Sequence, residues 1–307
     1  MGGSIVNTFF IGRQIYDCRK KKNYRCVAVF MIRCMIHRKE VCELQEFFSA
    51  SPQRQAFFIS HPKLFMQLTR QFFYLHSHIY ERLSLIRSSF SFAESHFTRP
   101  ALDHIYSLNG SSLLLWSGRL LDEAACIRLF YNSSELREGL LTLGFYIKDR
   151  SIYHINFWIE NHSGKPVFYI GCHQGSKSGL DINRKITKAL YGYRPKNFIL
   201  FAFRILAAKT GVSQIKAVSN EGFYACNHMR KDRKLKTSYD EFWEECGGRI
   251  SSDFRFFDLP AEEPRKREED IPARKRGLYR KRFESMDFFE KEFTGQLDSW
   301  IKPIKTV

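Results

Sequence analysis

The sequence predicts an α+β fold: an N-terminal helical annex, then a mixed, mainly antiparallel sheet with helices packed on it. Three observations predict it. Residues 62–96 carry an apolar stripe at three-and-four spacing (Leu64, Phe65, Leu68, Phe72, Leu75, Ile79, Leu83 and Ile86), which marks one buried helical face. After Asn109-Gly110, short apolar segments follow one another through tight turns, and strands joined so closely pair antiparallel. A long Pro-started helix then links two further apolar segments, a connection that makes its flanking strands parallel.

Taken in order, the first forty or so residues are basic and without clear periodicity, and no structure is assigned to them. Strands are expected at residues 113–116, 125–131, 140–147, 152–159 and 167–170, with turns at Lys148-Asp149-Arg150 and Asn161-His162-Ser163-Gly164. Arg194-Pro195-Lys196 opens a helix whose Phe198, Phe201, Ala202, Ile205 and Leu206 share one face, and Gly211 ends it. A strand at 214–219 follows, then the basic stretch 228–236, read as a solvated loop. A short helix at 239–246 stops at Gly247-Gly248, a strand at 254–259 stops at Pro260, and a mostly polar helix covers 273–297. The expected organisation is a basic segment of uncertain order at 1–45, a helical annex at 46–108, the α+β domain at 109–260, and a charged linker with a basic helix at 261–307.

Composition narrows the partners. With 44% hydrophobic and 15% aromatic residues in 307, the chain has ample material for a core, which excludes disorder as the whole answer. A formal charge of +17 implies attraction to polyanions: nucleic acid, anionic lipid headgroups, or phosphorylated ligands such as nucleotides and acyl carriers. No apolar run is long enough to span a bilayer; the best, residues 26–36, is short and interrupted by Arg33. Residues 19–36 mimic the start of a secretory signal, yet no small-residue cleavage site follows. A cytoplasmic protein is expected, with contact at the inner face of the membrane as the alternative. The eight cysteines are scattered and read as reduced and structural; Cys18, Cys26, Cys34 and Cys42 are evenly spaced without paired histidines, and no metal site is predicted.

The candidate chemistry lies in residues 165–220. An apolar strand is followed by the turn His173, Gln174, Gly175, Ser176, Lys177, Ser178, Gly179, whose glycines let backbone N–H groups approach an anion. Arg194 and Lys196 at a helix N-terminus oppose the macrodipole unless a bound phosphate compensates them or both side chains point into water. Gln174, Gly175, Ser176, Lys177, Gly179, Arg194 and Lys196 are therefore the candidate anion-binding residues. About twenty residues separate the turn from that helix, and they must fold back if Gln174 and Arg194 are to share a ligand.

The succession Gln174-Gly175, residues 187–196 (TKALYGYRPK), Ala217-Val218-Ser219-Asn220, residues 239–248 (YDEFWEECGG) and the closing run from Glu269 to Arg282 resembles the VirK/YbjX family of enterobacterial proteins. The likeness covers roughly residues 60–295. It implies a role in bacterial virulence: intercellular spread through production of a surface protein, and envelope integrity against cationic peptides. The element order also looks like that of N-acetyltransferase-like (GNAT) domains, which bind the acyl-CoA pyrophosphate on backbone N–H groups at the turn before the long helix. That likeness implies acyl-CoA as ligand and acyl transfer as activity. Such transfer needs a base, a donor for the leaving thiolate and N–H groups for the oxyanion. The candidates are Glu160 at a strand end, Asn220, Glu221 and Tyr224 after the strand at 214–219, and His173 beside the turn; Glu160 and Glu221 also read as solvated loop carboxylates, Tyr224 as a partly buried aromatic and His173 as a satisfied polar neighbour of a glycine turn. The alternative is a non-enzymatic basic factor binding RNA or an anionic membrane surface through residues 230–236 and 274–282.

Overall fold

The computed structural model of the protein describes residues 8–176, 179–226 and 238–303. Its annex is built from α1 (Thr8–Ile15), α2 (Lys22–Ile36), α3 (Arg38–Ser49), α4 (Pro52–Ser60), α5 (Leu64–Thr69), α6 (Ile79–His96) and α7 (Arg99–Ile105). The segment given no structure from its sequence therefore holds α1, α2 and the start of α3. Each buries a few apolar residues, Val27, Phe30 and Cys34 in α2 and Val41, Leu44 and Phe48 in α3. The apolar stripe at 62–96 is broken between α5 and α6, where Phe73 and His76 take positive φ (73° and 55°). Ser77 and the buried Arg82 hold the break, Ser77 Oγ donating to the Phe72 carbonyl and Arg82 Nε to the Leu68 carbonyl at 2.7 Å each.

A meander follows: β1 (Leu113–Leu120), β2 (Glu123–Tyr131), β3 (Leu141–Ile147), β4 (Arg150–His162) and β5 (Lys165–Gly175), each antiparallel to the next. Then come α8 (Leu180–Ala189), α9 (Pro195–Lys209), β6 (Gln214–Val218), α10 (Tyr239–Glu245), β7 (Arg249–Ile250), β8 (Phe256–Leu259) and α11 (Ala273–Trp300). The eight strands form one mixed sheet in the order β1-β2-β3-β4-β5-β6-β8-β7, with β5 and β6 its parallel pair. The α+β class, the antiparallel meander and the parallel crossover are as the sequence predicts.

Helix α9 is apolar around most of its circumference because it is packed on two sides. Phe198 meets Phe145 of β3, and Phe203 meets Phe157 and Phe168 of β4 and β5. On its outer side Phe198 and Phe201 meet Phe289 of α11. The opposite sheet surface takes Phe73 and Tyr74 of the annex against Trp158, and Tyr74 and Tyr169 against Phe256. One contiguous buried cluster runs from Ile11 to Leu297.

Candidate functional site

Two features position the site. The first is where the sheet opens: β5 and β6 pair from Val167/Gln214 to Ile170/Ala217, and β5 then continues to Gly175 without that partner. Helix α10 enters the gap. Asn220 fixes it there, its backbone N–H donating to Asp240 Oδ1 at 2.7 Å, its Nδ2 to Ser238 Oγ at 3.0 Å, and its Oδ1 accepting from the Tyr239 N–H at 2.7 Å. Trp243 Nε1 donates to the Val218 carbonyl, and Phe242 stacks on His173 at 4.8 Å. The second feature is the chain after the turn. The separation of about twenty residues between Gly175 and Pro195 is largely helix α8, which begins at Leu180 with Gly179 at its N-cap position. Helix α8 begins five residues after the last residue of β5 and lies beside α9.

Between α8 and the first turn of α9 lies a cavity of about 490 Å³, lined by Tyr153, Asn183, Arg184, Thr187, Lys188, Gly192, Pro195 and the cations Arg194 and Lys196. Four cationic side chains thus surround one concavity. Glu245 of α10 partly compensates them: it pairs with Arg194 and lies 3.7 Å from Lys196 Nζ. The ammonium of Lys196 also sits 4.4 Å over the Phe242 ring, and burial, with Arg194 beside it, lowers its pKa. Arg194 and Lys196 line this concavity, but the turn expected to begin at His173 does not: His173, Gln174 and Gly175 are the end of β5, paired with β4, the Ser176 N–H donates to the Ile152 carbonyl, Gly179 is at the N-cap position of α8, and Lys177 lies outside the described residues.

On the other face of the sheet, β3, β4, β5 and the segment before β3 gather a polar cluster. His154 Nε2 lies 2.8 Å from Glu135 Oε2, Asn156 Nδ2 donates to the same carboxylate at 2.8 Å, and Thr142 Oγ1 donates to Asn156 Oδ1 at 2.5 Å. The hydrogen bond from His154 holds the Glu135 carboxyl below its usual pKa. Three residues on, Glu138 is shifted the other way. Burial raises its pKa, although the Cys172 thiol hydrogen-bonds to it, and Gln174 Nε2 donates to its Oε2 at 3.3 Å. The chain reaches this position only because residue 171 is glycine: a Cβ there would stand 2.0 Å from the Glu138 carbonyl oxygen. Two neighbouring carboxyl groups pushed in opposite directions, one toward holding a proton and one toward releasing it, are what acid–base work needs.

The remaining sequence-predicted residues are spread out. Glu160 is buried with a raised pKa and accepts from Trp158 Nε1 at 2.9 Å. It pairs with Val167 whereas His154 pairs with Gln174, so it sits about 20 Å along β4 from the turn, at about 3.3 Å per residue. Asn220 is committed to α10, Glu221 is exposed, and Tyr224 is half-buried against Phe72 and Phe223. His173 is buried, and its Nε2–H donates to the Lys196 carbonyl at 3.0 Å. The basic stretch 228–236 lies outside the described residues. Sequence reasoning missed Glu135, Glu138 and His154, which sit in polar or alternating segments that read as turn and strand. It also missed Arg184 and Lys188, although Ile182, Ile186 and Ala189 in α8 do carry a helical period.

A family model described as a protein of unknown function, DUF535, matches residues 19–294. The chain belongs to the DUF535 family. This is the VirK/YbjX family, and its match includes the annex helices α2 and α3 as well as the sheet. Within the DUF535 family the chain is similar to the uncharacterised protein YbjX of Escherichia coli K12, 33% identical over 142 residues, 45% of this chain and 43% of that protein. It is similar also to two uncharacterised proteins of Haemophilus influenzae, at 33% identity over 113 residues and 25% over 118, covering 37% and 38% of their lengths. The chain spans less than half the length of the curated relatives it matches. Among the described residues of this DUF535 member, no helix is long and apolar enough to cross a membrane.

Proposed function

We propose that the protein binds the phosphate-bearing end of an acyl carrier, of the acyl-CoA type, in the cavity between α8 and α9, and transfers its acyl group. The observation that carries this reading is the convergence of Arg184, Lys188, Arg194 and Lys196 on one concavity of about 490 Å³ beyond the end of β5. A volume of that order suits a nucleotide-sized ligand, and four cations match a pyrophosphate and a ribose phosphate. The order of antiparallel strands, turn, helices and parallel strand, which N-acetyltransferase-like domains share, supports the same reading.

In such a transfer the acyl carbon–sulfur bond breaks, a bond from that carbon to an acceptor amine forms, the amine gives up a proton and the thiolate takes one. The Glu135–His154 pair lies on the other face of the sheet from the cavity, so the acyl arm must pass around the end of β5 for this carboxylate-held imidazole to receive the amine proton. Glu138, whose pKa burial raises, is the group of that cluster suited to donate one. Glu160 stands too far along β4 to share that task with the turn. In the cell, the product would serve the envelope and the surface-protein production that the family resemblance implies.

The test is a thermal melt of the protein with and without acetyl-CoA and longer acyl-CoA thioesters. At a ligand concentration of about 100 times Kd, binding contributes about 2.7 kcal/mol and raises Tm by several degrees. Arg184→Ala with Lys188→Ala, and separately Arg194→Ala with Lys196→Ala, should each remove the shift. If no acyl-CoA moves the Tm of the unaltered protein, the reading is wrong.

A further inference from the structure

Helix α2 is apolar on both of its faces. Its inner face, Val27, Phe30 and Cys34, is buried in the core. Its outer face carries Tyr24, Val29, Ile32, Met35 and Ile36, exposed by 52%, 37%, 55%, 72% and 71%. At 100° per residue these five positions and Ala28 fall on one side of the helix, opposite the buried three, with the exposed Arg25 among them in the first half of the helix. The neighbouring α1 extends the surface: it packs on α2 where Gly12 leaves room for Val27, and its Phe9 is exposed by 42%. Isolated exposed apolar residues need no explanation, but five on one face of a fifteen-residue helix form a patch.

The charge around this patch is of one sign. Residues 18–39 contain Arg19, Lys20, Lys21, Lys22, Arg25, Arg33, Arg38 and Lys39 and no acid. Only Arg19 among them forms an ion pair within the described residues, with Asp17. Three lysines crowd the N-terminus of α2, where the helix macrodipole is already positive and no acidic residue occupies the first turn. An apolar stripe flanked at both ends by unpaired cations, on a helix about 22 Å long, has the chemistry of a segment lying in a bilayer interface: aliphatic side chains enter the acyl boundary and lysines reach the phosphates. A second copy of the chain would bring eight cations against eight. An RNA strand would meet aliphatic rather than stacking side chains, since Ile32, Met35 and Ile36 dominate the exposed area.

We propose that α1 and α2 form a docking surface for a bilayer of anionic phospholipid, with the outer face of α2 in the headgroup region. This surface is separate from the cavity between α8 and α9 and stands or falls independently of acyl transfer.

The experiment is flotation of the full chain with vesicles of phosphatidylcholine alone and of phosphatidylcholine with phosphatidylglycerol. The protein should float with the anionic vesicles and not with the neutral ones. The triple variant Ile32→Ser, Met35→Ser, Ile36→Ser should keep its Tm, because all three side chains face solvent, and should lose vesicle partitioning by at least about tenfold. Lys20→Glu, Lys21→Glu, Lys22→Glu should abolish the preference for anionic lipid, which removes any doubt that a folding defect caused the first result. Three outcomes would overturn the proposal: no flotation with anionic vesicles, equal flotation of the serine variant, or a dimer in sedimentation that the serine variant dissolves while flotation is unchanged.

Discussion

At the scale of single residues, His173 shows how one buried group ties the site to stability. Its imidazole stacks on Phe242, its Nε2–H is spent on the Lys196 carbonyl, and burial pulls its pKa down to about 3. In the unfolded chain the same group titrates near about 6.5. Between those values the unfolded chain holds a proton that the folded one refuses, so stability is full above about pH 6.5 and falls by about 1.4 kcal/mol for each unit of acidification. His61, whose pKa burial also lowers, contributes in the same direction, whereas Glu135 acts only below about pH 4.5, the ordinary carboxylate range. Urea unfolding at pH 7.5 and 5.5 should therefore show a steeper loss for the unaltered protein than for His173→Phe, by about 1.4 kcal/mol; parallel losses would mean that His173 is protonated in the fold. The sequence shows a histidine beside a glycine turn, but its partners come from α9 and α10, more than twenty residues away. The same limit hid the division between Glu135 and Glu138, because burial and a cross-strand histidine set their opposite shifts and neither is visible in a local pattern.

At the scale of elements, what the sequence conveyed depended on how much of each element's periodicity is its own. The meander was legible because its strands are apolar segments bounded by short turns, and α9 because its Pro start and Gly end bracket an apolar run. The break between α5 and α6 was not legible, since the apolar spacing continues through it and its positive-φ residues, Phe73 and His76, are not glycines. Helix α11 divides similarly. Of its apolar positions, Met286 and Phe289 are buried, Phe283 is half-buried and Leu278 is exposed by 42%. The buried set continues instead to Phe293 and Leu297, while the first turns carry Arg274, Lys275, Arg276, Arg280 and Lys281 into solvent and touch the fold through Arg282 Nε on the Tyr191 carbonyl. Only the second half of α11 is thus a structural element of the core. Phe293→Ala should cost about 3–5 kcal/mol by leaving a cavity between α11 and the core, and Leu278→Ala no more than about 0.5 kcal/mol, both read from urea midpoints. Equal costs would place the anchoring of α11 in its basic half.

At the scale of the whole molecule, the charge of +17 is a field that structure has divided into separate patches. One surrounds the cavity between α8 and α9, one lines the first half of α11, and one flanks the outer face of α2. In the first, Asp181 lies 3.8 Å from Arg184 in an exposed pair, and Glu245 decides how much of the field of the other two paired cations is available to a ligand. Glu245 pairs with Arg194 and approaches Lys196, so an incoming phosphate must displace a carboxylate that is 47% exposed and already screened by water. Glu245→Gln removes the competing charge while keeping a side chain of the same shape beside Arg194 and Lys196. Affinity for CoA should then rise by about fivefold, on the order of 1 kcal/mol, because the two cations no longer need to be freed before they bind. The gain should shrink as salt is raised, since more phosphate contacts mean a steeper dependence of affinity on ionic strength. Calorimetric titration of both proteins at low and at physiological salt reads both effects. Unchanged affinity at low salt would show that Arg194 and Lys196 hold α10 in place through Glu245 and take no part in binding, leaving Arg184 and Lys188 as the cations to test.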